Sequence, residues 1–146
     1  MGAEENALAE GIQFQQQEPG YLNLCRRTGN LLITSGHTSD LKGILGGGVS
    51  VEEGYDAARD CVVKILNSVH QCHGSLDGLA VVKLLGCVYS AGDFTDQHLV
   101  INGGSDLLHK IFGKEDDGYH ARSAVGFAAL PTGAAVEIEA IFEVKE

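Results

Sequence analysis

The stretch SVEEGYDAARDCVVKILNSVHQCHG, Ser50 to Gly74, followed after four residues by LAVVKLLGCVY, Leu79 to Tyr89, decides the fold. Ser50 and Glu53 stand at the spacing where a serine hydroxyl accepts the glutamate's backbone N–H while the carboxylate returns to the serine N–H. Apolar side chains then recur at Tyr55, Ala58, Val62, Ile65, Val69 and Cys72, in steps of three and four, until Gly74 ends the pattern. This predicts a helix of about six turns with one buried stripe. Leu79 to Tyr89 has no such period. A nearly continuous apolar run of that length suits a strand covered on both sides or by a partner subunit, and so a central strand.

Working outward, Tyr21 to Arg26 and Leu31 to Ser35 are β-prone runs separated by Thr28-Gly29-Asn30, a hairpin signal. Residues 37–50 carry Gly46-Gly47-Gly48 and read as a loop. Downstream, Ser105 is expected to cap a shorter helix that buries Leu107, Leu108, Ile111 and Phe112 and stops at Gly113. Lys114 to Gly118 reads as a solvated loop. Ala121 to Leu130 and Ala135 to Val144, joined through Pro131-Thr132-Gly133, read as a closing hairpin. In its last strand Val136, Ile138, Ala140, Phe142 and Val144 alternate with Glu137, Glu139, Ile141 and Glu143, so one face is apolar and the other largely acidic. The expected order is ββαβαββ, an α+β fold with a mixed sheet and two helices packed on one face.

A chain of 146 residues and 15.4 kDa supports one core, so residues 1–146 are expected to form a single domain, with 1–19 a partly mobile terminus. The formal net charge of −10 repels phosphate backbones and anionic lipid, which argues against a nucleic-acid partner. No apolar run approaches the roughly 18 residues of a membrane helix, and the acidic start lacks the pattern of a secretory signal. A cytoplasmic protein with no membrane partner is expected. Cys25, Cys61, Cys72 and Cys87 form no C-x-x-C pair and read as reduced, core-filling thiols.

On the run from Ala121, Arg122, Ala124, Gly126 and Ala128 share a face, which sets an arginine beside unusually small neighbours. Antiparallel pairing with the last strand would put Arg122 on one surface with Glu137, Glu139 and Glu143. A guanidinium fork suits capture of a carboxylate, and a nearby Glu could orient water. The same spacing also suits a plain cross-strand ion pair. His120 lies on the same face as Arg122 and is either a further polar group of a site or a solvent-facing strand-entry residue. His70, Cys72 and His73 diverge around a helix end, so no metal site is expected, and His70 and His73 should serve the last carbonyls with Cys72 in the core. Asn102-Gly103-Gly104-Ser105 precedes the shorter helix as a phosphate cradle would, but lacks the lysine of a P-loop. Ser123 and the cysteines have no adjacent base at a recognised nucleophile spacing.

Gly29-Asn30-Leu31-Leu32-Ile33-Thr34-Ser35-Gly36, then Ala121-Arg122-Ser123-Ala124-Val125 running to Leu130-Pro131, then Val136-Glu137-Ile138-Glu139-Ala140-Ile141, together resemble the Rid family, the YjgF/RidA-type or liver perchloric-acid-soluble protein group. The resemblance spans roughly residues 20 to 145. It implies a chorismate-mutase-like fold and a homotrimer with a central β-barrel and clefts between subunits. It further implies an enamine/imine deaminase that hydrolyses reactive 2-imino or enamine acids to 2-oxo acids and ammonia without a cofactor. Arg122 matches the family's carboxylate-binding arginine and Glu137 its water-orienting glutamate, with His120, Ser35, Tyr21 and Asn102 as further substrate-binding candidates. Ala124 stands where many members carry a cysteine, Tyr21 is one position off the family tyrosine, and residues between Phe94 and His120 are extra. A non-catalytic binder of small carboxylate or carbonyl metabolites on the same trimer is the alternative. An endoribonuclease or translation inhibitor ranks last, because the net charge opposes RNA.

Overall fold

The computed structural model describes residues 2–145. Its core is a mixed sheet with two long helices on one face. The chain opens with helix α1 (Ala3–Ala9), then the hairpin β1 (Cys25–Thr28) and β2 (Leu31–Thr34), turning at Gly29 with φ of +58°. Short pieces β3 (His37–Thr38), β4 (Ile44–Leu45) and β5 (Gly48–Val49) lead to α2 (Val51–His73). Then come β6 (Leu79–Tyr89), α3 (Gln97–Phe112), β7 (Ala121–Phe127) and β8 (Val136–Val144).

Helix α2 starts and stops where the sequence places it. Ser50 Oγ accepts the Glu53 N–H at 3.1 Å, Glu53 Oε1 accepts the Ser50 N–H at 3.0 Å, and Gly74 closes the helix in the left-handed region at φ +96°. Its buried face runs through Ala58, Cys61, Val62, Ile65, Leu66 and Val69. Cys72, expected in the core, is exposed. His70 does not serve the helix end: it stacks on Phe14 at 3.9 Å and meets Glu4 Oε1 at 3.0 Å. The reason is the opening segment, which the sequence left without an element. Residues 3–9 form a helix with Ala7 buried, and the following stretch is strapped along α2. Asn67 and Gln71, one turn apart, each accept a backbone N–H and donate to the carbonyl of the same residue, Gln15 and Gln17 respectively, at 2.7 and 3.0 Å. The i,i+4 rise of a helix, about 6 Å, matches the i,i+2 advance of an extended chain, so two side-chain amides act as a strand partner.

The sheet order is β1-β2-β8-β6-β7, with β3 also on β8. Strand β6 is therefore central, as its continuous apolar run requires. The closing hairpin is not formed. β7 pairs parallel to β6, with Leu84 opposite Arg122, and β8 pairs antiparallel along the other edge of β6, with Leu84 opposite Ala140. Pairing β8 with β7 instead would leave one edge of this apolar strand, and so one ladder, unpaired. Residues 128–135 instead carry the chain past the end of β6, so its two edges are both occupied. Val136, Ile138, Ala140, Phe142 and Val144 face the helices and are buried, as the alternation predicts.

Helix α3 begins at Gln97, two turns before the expected Ser105, and Gly103-Gly104 lies inside it. The pair marks where α3 crosses α2. A methyl group at Gly103 would run into the carbonyl oxygen of Tyr55, and one at Gly104 would sit 2.7 Å from Val62 Cγ2. Beneath α3, a methyl at Gly86 would lie 2.6 Å from Ile101. The helix buries Val100, Ile101, Leu107, Leu108 and Ile111.

Gly103→Ala tests this crossing. Alanine is the better helix former by about 1 kcal/mol, but overpacking against a backbone carbonyl costs about 3 kcal/mol, so a net loss of about 2 kcal/mol is expected in urea denaturation. A neutral or stabilised variant would show that the helices are not in close contact there.

Candidate functional site

Arg122 is the second residue of β7, the edge strand of the sheet, and its register partner Leu84 faces the helices. The guanidinium therefore rises towards α3. Its Nη1 donates to Asn102 Oδ1 at 2.8 Å and to Ser105 Oγ at 3.2 Å. Asn102 and Ser105, three residues apart, share one face of the helix. Ser105 Oγ lies 2.9 Å from His120 Nε2, and His120 Nδ1 lies 2.7 Å from the carbonyl oxygen of Gly118. A carbonyl only accepts, so the proton is on Nδ1 and the neutral ring turns the lone pair of Nε2 to the serine. Burial pulls the His120 imidazole below its ordinary value; the Gly118 carbonyl opposes this, while His109 and Arg122 add to it. Burial also lowers Arg122, against a pull from Asp106, and arginine remains a cation at neutral pH. Among the described residues no carboxylate oxygen comes within 4.0 Å of the guanidinium, so it makes no direct ion pair, and Asp106 acts on it only from farther off.

The other sequence-derived candidates lie elsewhere. Glu137 does not share a surface with Arg122. Strand β6 separates their strands, and Glu137 pairs with Cys87 and Thr38 on the opposite face of the sheet, its carboxylate beside Gly36. The expectation failed because it rested on a hairpin between β7 and β8 that is not made. Ser35 follows β2 and spends its hydroxyl proton on the carbonyl of Asn23 at 2.7 Å. Tyr21 is fully exposed on the arm that Ser35 pins. At about 4.8 Å per strand, the β1 and β7 edges are roughly 19 Å apart. Tyr21 and Arg122 thus cannot reach one ligand within a single chain. A hollow of about 670 Å³ lies on the Tyr21 side, between residues 17–25 and Ser68, Gln71 and Cys72 of α2, away from the guanidinium.

His120 and Asn102 both lie beside Arg122, His120 through Ser105 and Asn102 directly. The link between them is Ser105, which the sequence predicts as a helix cap and which the structure places inside α3. Nothing in linear spacing pairs a mid-helix serine with a histidine fifteen residues on. The face of small residues expected to leave room is filled by the helix: a methyl at Gly126 would touch Gln97 Nε2 at 2.8 Å. Among the described residues no group of three or more His, Cys, Asp and Glu side chains is placed to hold a metal ion, and no helix is long and apolar enough to cross a membrane.

Residues 16–144 match the family model described as Endoribonuclease L-PSP. The chain belongs to this family. The Trypanosoma cruzi protein TCP17 is 46% identical over 104 residues, a stretch covering 70% of this chain and 64% of TCP17. Atu1372 of Agrobacterium tumefaciens, a solved structure of unknown function, is 38% identical and superposes with a TM-score of 0.86, covering 99% of this chain and 92% of its own. RidA from the Antarctic bacterium Psychrobacter is 22% identical with a TM-score of 0.59, over 88% of this chain and 92% of that one, and shows the shared fold. The mixed α+β architecture is thus that of the Rid/YjgF family.

His37 repeats the His120 arrangement, with Nδ1 2.7 Å from the Ser35 carbonyl and Nε2 2.8 Å from Ser68 Oγ on α2. Burial lowers its value too, opposed by the carbonyl and aided by Lys64. Both folded imidazoles sit below the ordinary 6.5, so the unfolded chain takes up protons first as pH falls. Their contribution to stability is therefore intact above 6.5 and declines as pH drops from there through the lowered folded values. Urea midpoints measured from pH 7.5 to 5 should fall for wild type and fall less for the His37→Gln/His120→Gln double variant. Equal slopes would mean the two rings are not held neutral.

Proposed function

We propose that this chain is a Rid-type hydrolase of small 2-imino or enamine acids, acting at clefts between copies of a homotrimer, with Arg122 as the anchor for the substrate carboxylate. One observation carries the reading: a guanidinium held in place by two neutral acceptors, with no carboxylate among the described residues in direct ion-pair contact with it. A planar fork with no direct ion pair is suited to bidentate capture of an anion. The reaction needs little beyond that. Water adds to the C=N carbon, a C–O bond forms, the C–N bond breaks, and the nitrogen leaves as ammonia with the protons of the water. Orientation and a fixed positive charge supply most of what such a step requires.

The positions of the remaining candidates support an assembly. Tyr21, Ser35 and Glu137 cannot meet Arg122, Asn102 and His120 within one chain, so a cleft containing both sets is built from two. The face of the sheet away from the helices supports this, since it exposes Leu31, Ile33, Val125 and Phe127 among Glu137, Glu139 and Glu143. An uncovered apolar sheet of that extent marks an interaction surface. In this reading Glu137 of one copy orients the water that attacks a substrate held by Arg122 of the next. Ribonuclease activity is not adopted, because the net charge of −10 offers no basic track for RNA.

The test is ammonia release from a 2-imino acid generated from L-leucine by an amino-acid oxidase. Wild type should accelerate it and should run in light scattering at three times the 15.4 kDa chain mass. Arg122→Ala removes a charge-assisted fork worth about 3 kcal/mol, so kcat/KM should fall about 100-fold, with Arg122→Lys intermediate. Glu137→Gln should lower kcat by about 100-fold with KM little changed. Binding of 2-oxo acids without turnover would instead make the protein a metabolite binder, and a fully active Arg122→Ala would remove the proposed anchor.

A further inference from the structure

An arginine side chain has about 2 kcal/mol of rotamer freedom to lose, so one that waits for a ligand in a fixed pose must be held. A carboxylate would hold it but would also cancel its charge. Here the holders are neutral, and one of them is a hydroxyl, which ordinarily rotates and can present either its proton or a lone pair. Ser105 becomes a dependable acceptor only when its proton is committed elsewhere. His120 provides that commitment. Its tautomer is set by the Gly118 carbonyl at 2.7 Å, which leaves Nε2 to accept from Ser105 at 2.9 Å. The bonds then run in one direction, from Arg122 to Ser105 to His120 to the Gly118 carbonyl, and each polarises the next.

The Ser105 hydroxyl is nearly out of solvent, at 5% residue exposure, and sits inside α3 with its partners already in place. That suits a support rather than a nucleophile. Both bonds from the arginine leave Nη1. Nε and Nη2, which form the side-on fork of the guanidinium, have no partner among the described residues. A carboxylate can take that edge with two parallel bonds.

We propose that Ser105 and His120 are positioning residues: together they hold the Arg122 guanidinium without a direct ion pair and with its Nε/Nη2 edge left to receive the carboxylate of a ligand. This rests on the reading that Arg122 binds the substrate's carboxylate, and the experiment separates the two.

Pyruvate, the simplest 2-oxo acid, is the probe, titrated calorimetrically into the full chain at pH 7.5. Ser105→Ala and His120→Leu should each raise Kd about tenfold. The double variant should be no worse than either, because the two residues act through one bond. Ser105→Thr keeps a hydroxyl and His120→Gln places an amide oxygen near the former Nε2, so both should restore Kd to within about threefold of wild type. Arg122→Ala should abolish binding. If it does while Ser105→Ala and His120→Leu bind as wild type, the positioning role is wrong and the anchor stands. If Arg122→Ala binds as wild type, or wild type does not bind pyruvate, the anchor itself falls and this inference with it. An independent measurement needs no variant: imidazole nitrogen shifts of His120 in the wild-type protein should show Nδ1 protonated and Nε2 bare at pH 7.5. The opposite tautomer, or a doubly protonated ring, would overturn the direction of the relay.

Discussion

Everything at the Arg122 site depends on how closely α3 can lie against its neighbours. The helix packs against α2 on one side and the sheet beneath, and it comes that close only because side chains are missing at the contacts: Gly103 against the Tyr55 carbonyl, Gly104 against Val62, Gly86 beneath Ile101. A glycine pair in a helix interior costs roughly 2 kcal/mol relative to alanine, so local propensity and packing pull in opposite directions, and packing wins. The outcome is positional. Asn102 and Ser105 flank the glycine pair, so the same close crossing that seats the helix delivers their side chains to the guanidinium rising from β7.

The polar groups tying loops to this frame share a design. His37 and His120 each bond backwards through Nδ1 to the carbonyl two residues earlier, and forwards through Nε2 to a serine on a helix, Ser68 of α2 and Ser105 of α3. In both cases burial favours the neutral ring, and a neutral ring with a fixed tautomer is a rigid connector between one acceptor and one donor. The His37 version fastens the segment after β2, whose Ser35 in turn holds the Tyr21 arm. The His120 version reaches a cation. The same local geometry is thus structural at one edge of the sheet and touches the candidate site at the other, and the difference lies in what stands beyond the serine.

Much of the fold was legible because it follows from one-dimensional signals. The capping box at Ser50 and Glu53, the stripe from Ala58 to Val69, the glycine stop at Gly74 and the alternation from Val136 to Val144 all fix local structure. What was not legible depends on distant partners. The stretch before β1 looked featureless because its backbone bonds go to Asn67 and Gln71, some fifty residues away. Gly103-Gly104 looked like a helix boundary because its purpose is visible only with α2 in place. The Pro131-Thr132-Gly133 turn has hairpin chemistry, yet the strands it joins sit on opposite edges of β6, because a central apolar strand needs two partners more than β7 and β8 need each other. At the site, Arg122, His120 and Asn102 were marked from the sequence, and Ser105 in their midst was undervalued.

That strand order also decides what one chain can do alone. With β6 between them, β7 and β8 turn Arg122 and Glu137 to opposite faces, so the ligand-fixing and water-steering roles that the proposal gives them would fall to different copies. A hairpin would have given a self-contained site at the risk of joining the two charges into an ion pair, which would have cancelled the positive charge the ligand needs. Separation by a strand keeps the arginine apart from Glu137, Glu139 and Glu143 of β8. Under the proposed function, the price is that the site is completed only by a neighbour, so assembly and activity become one property of the fold.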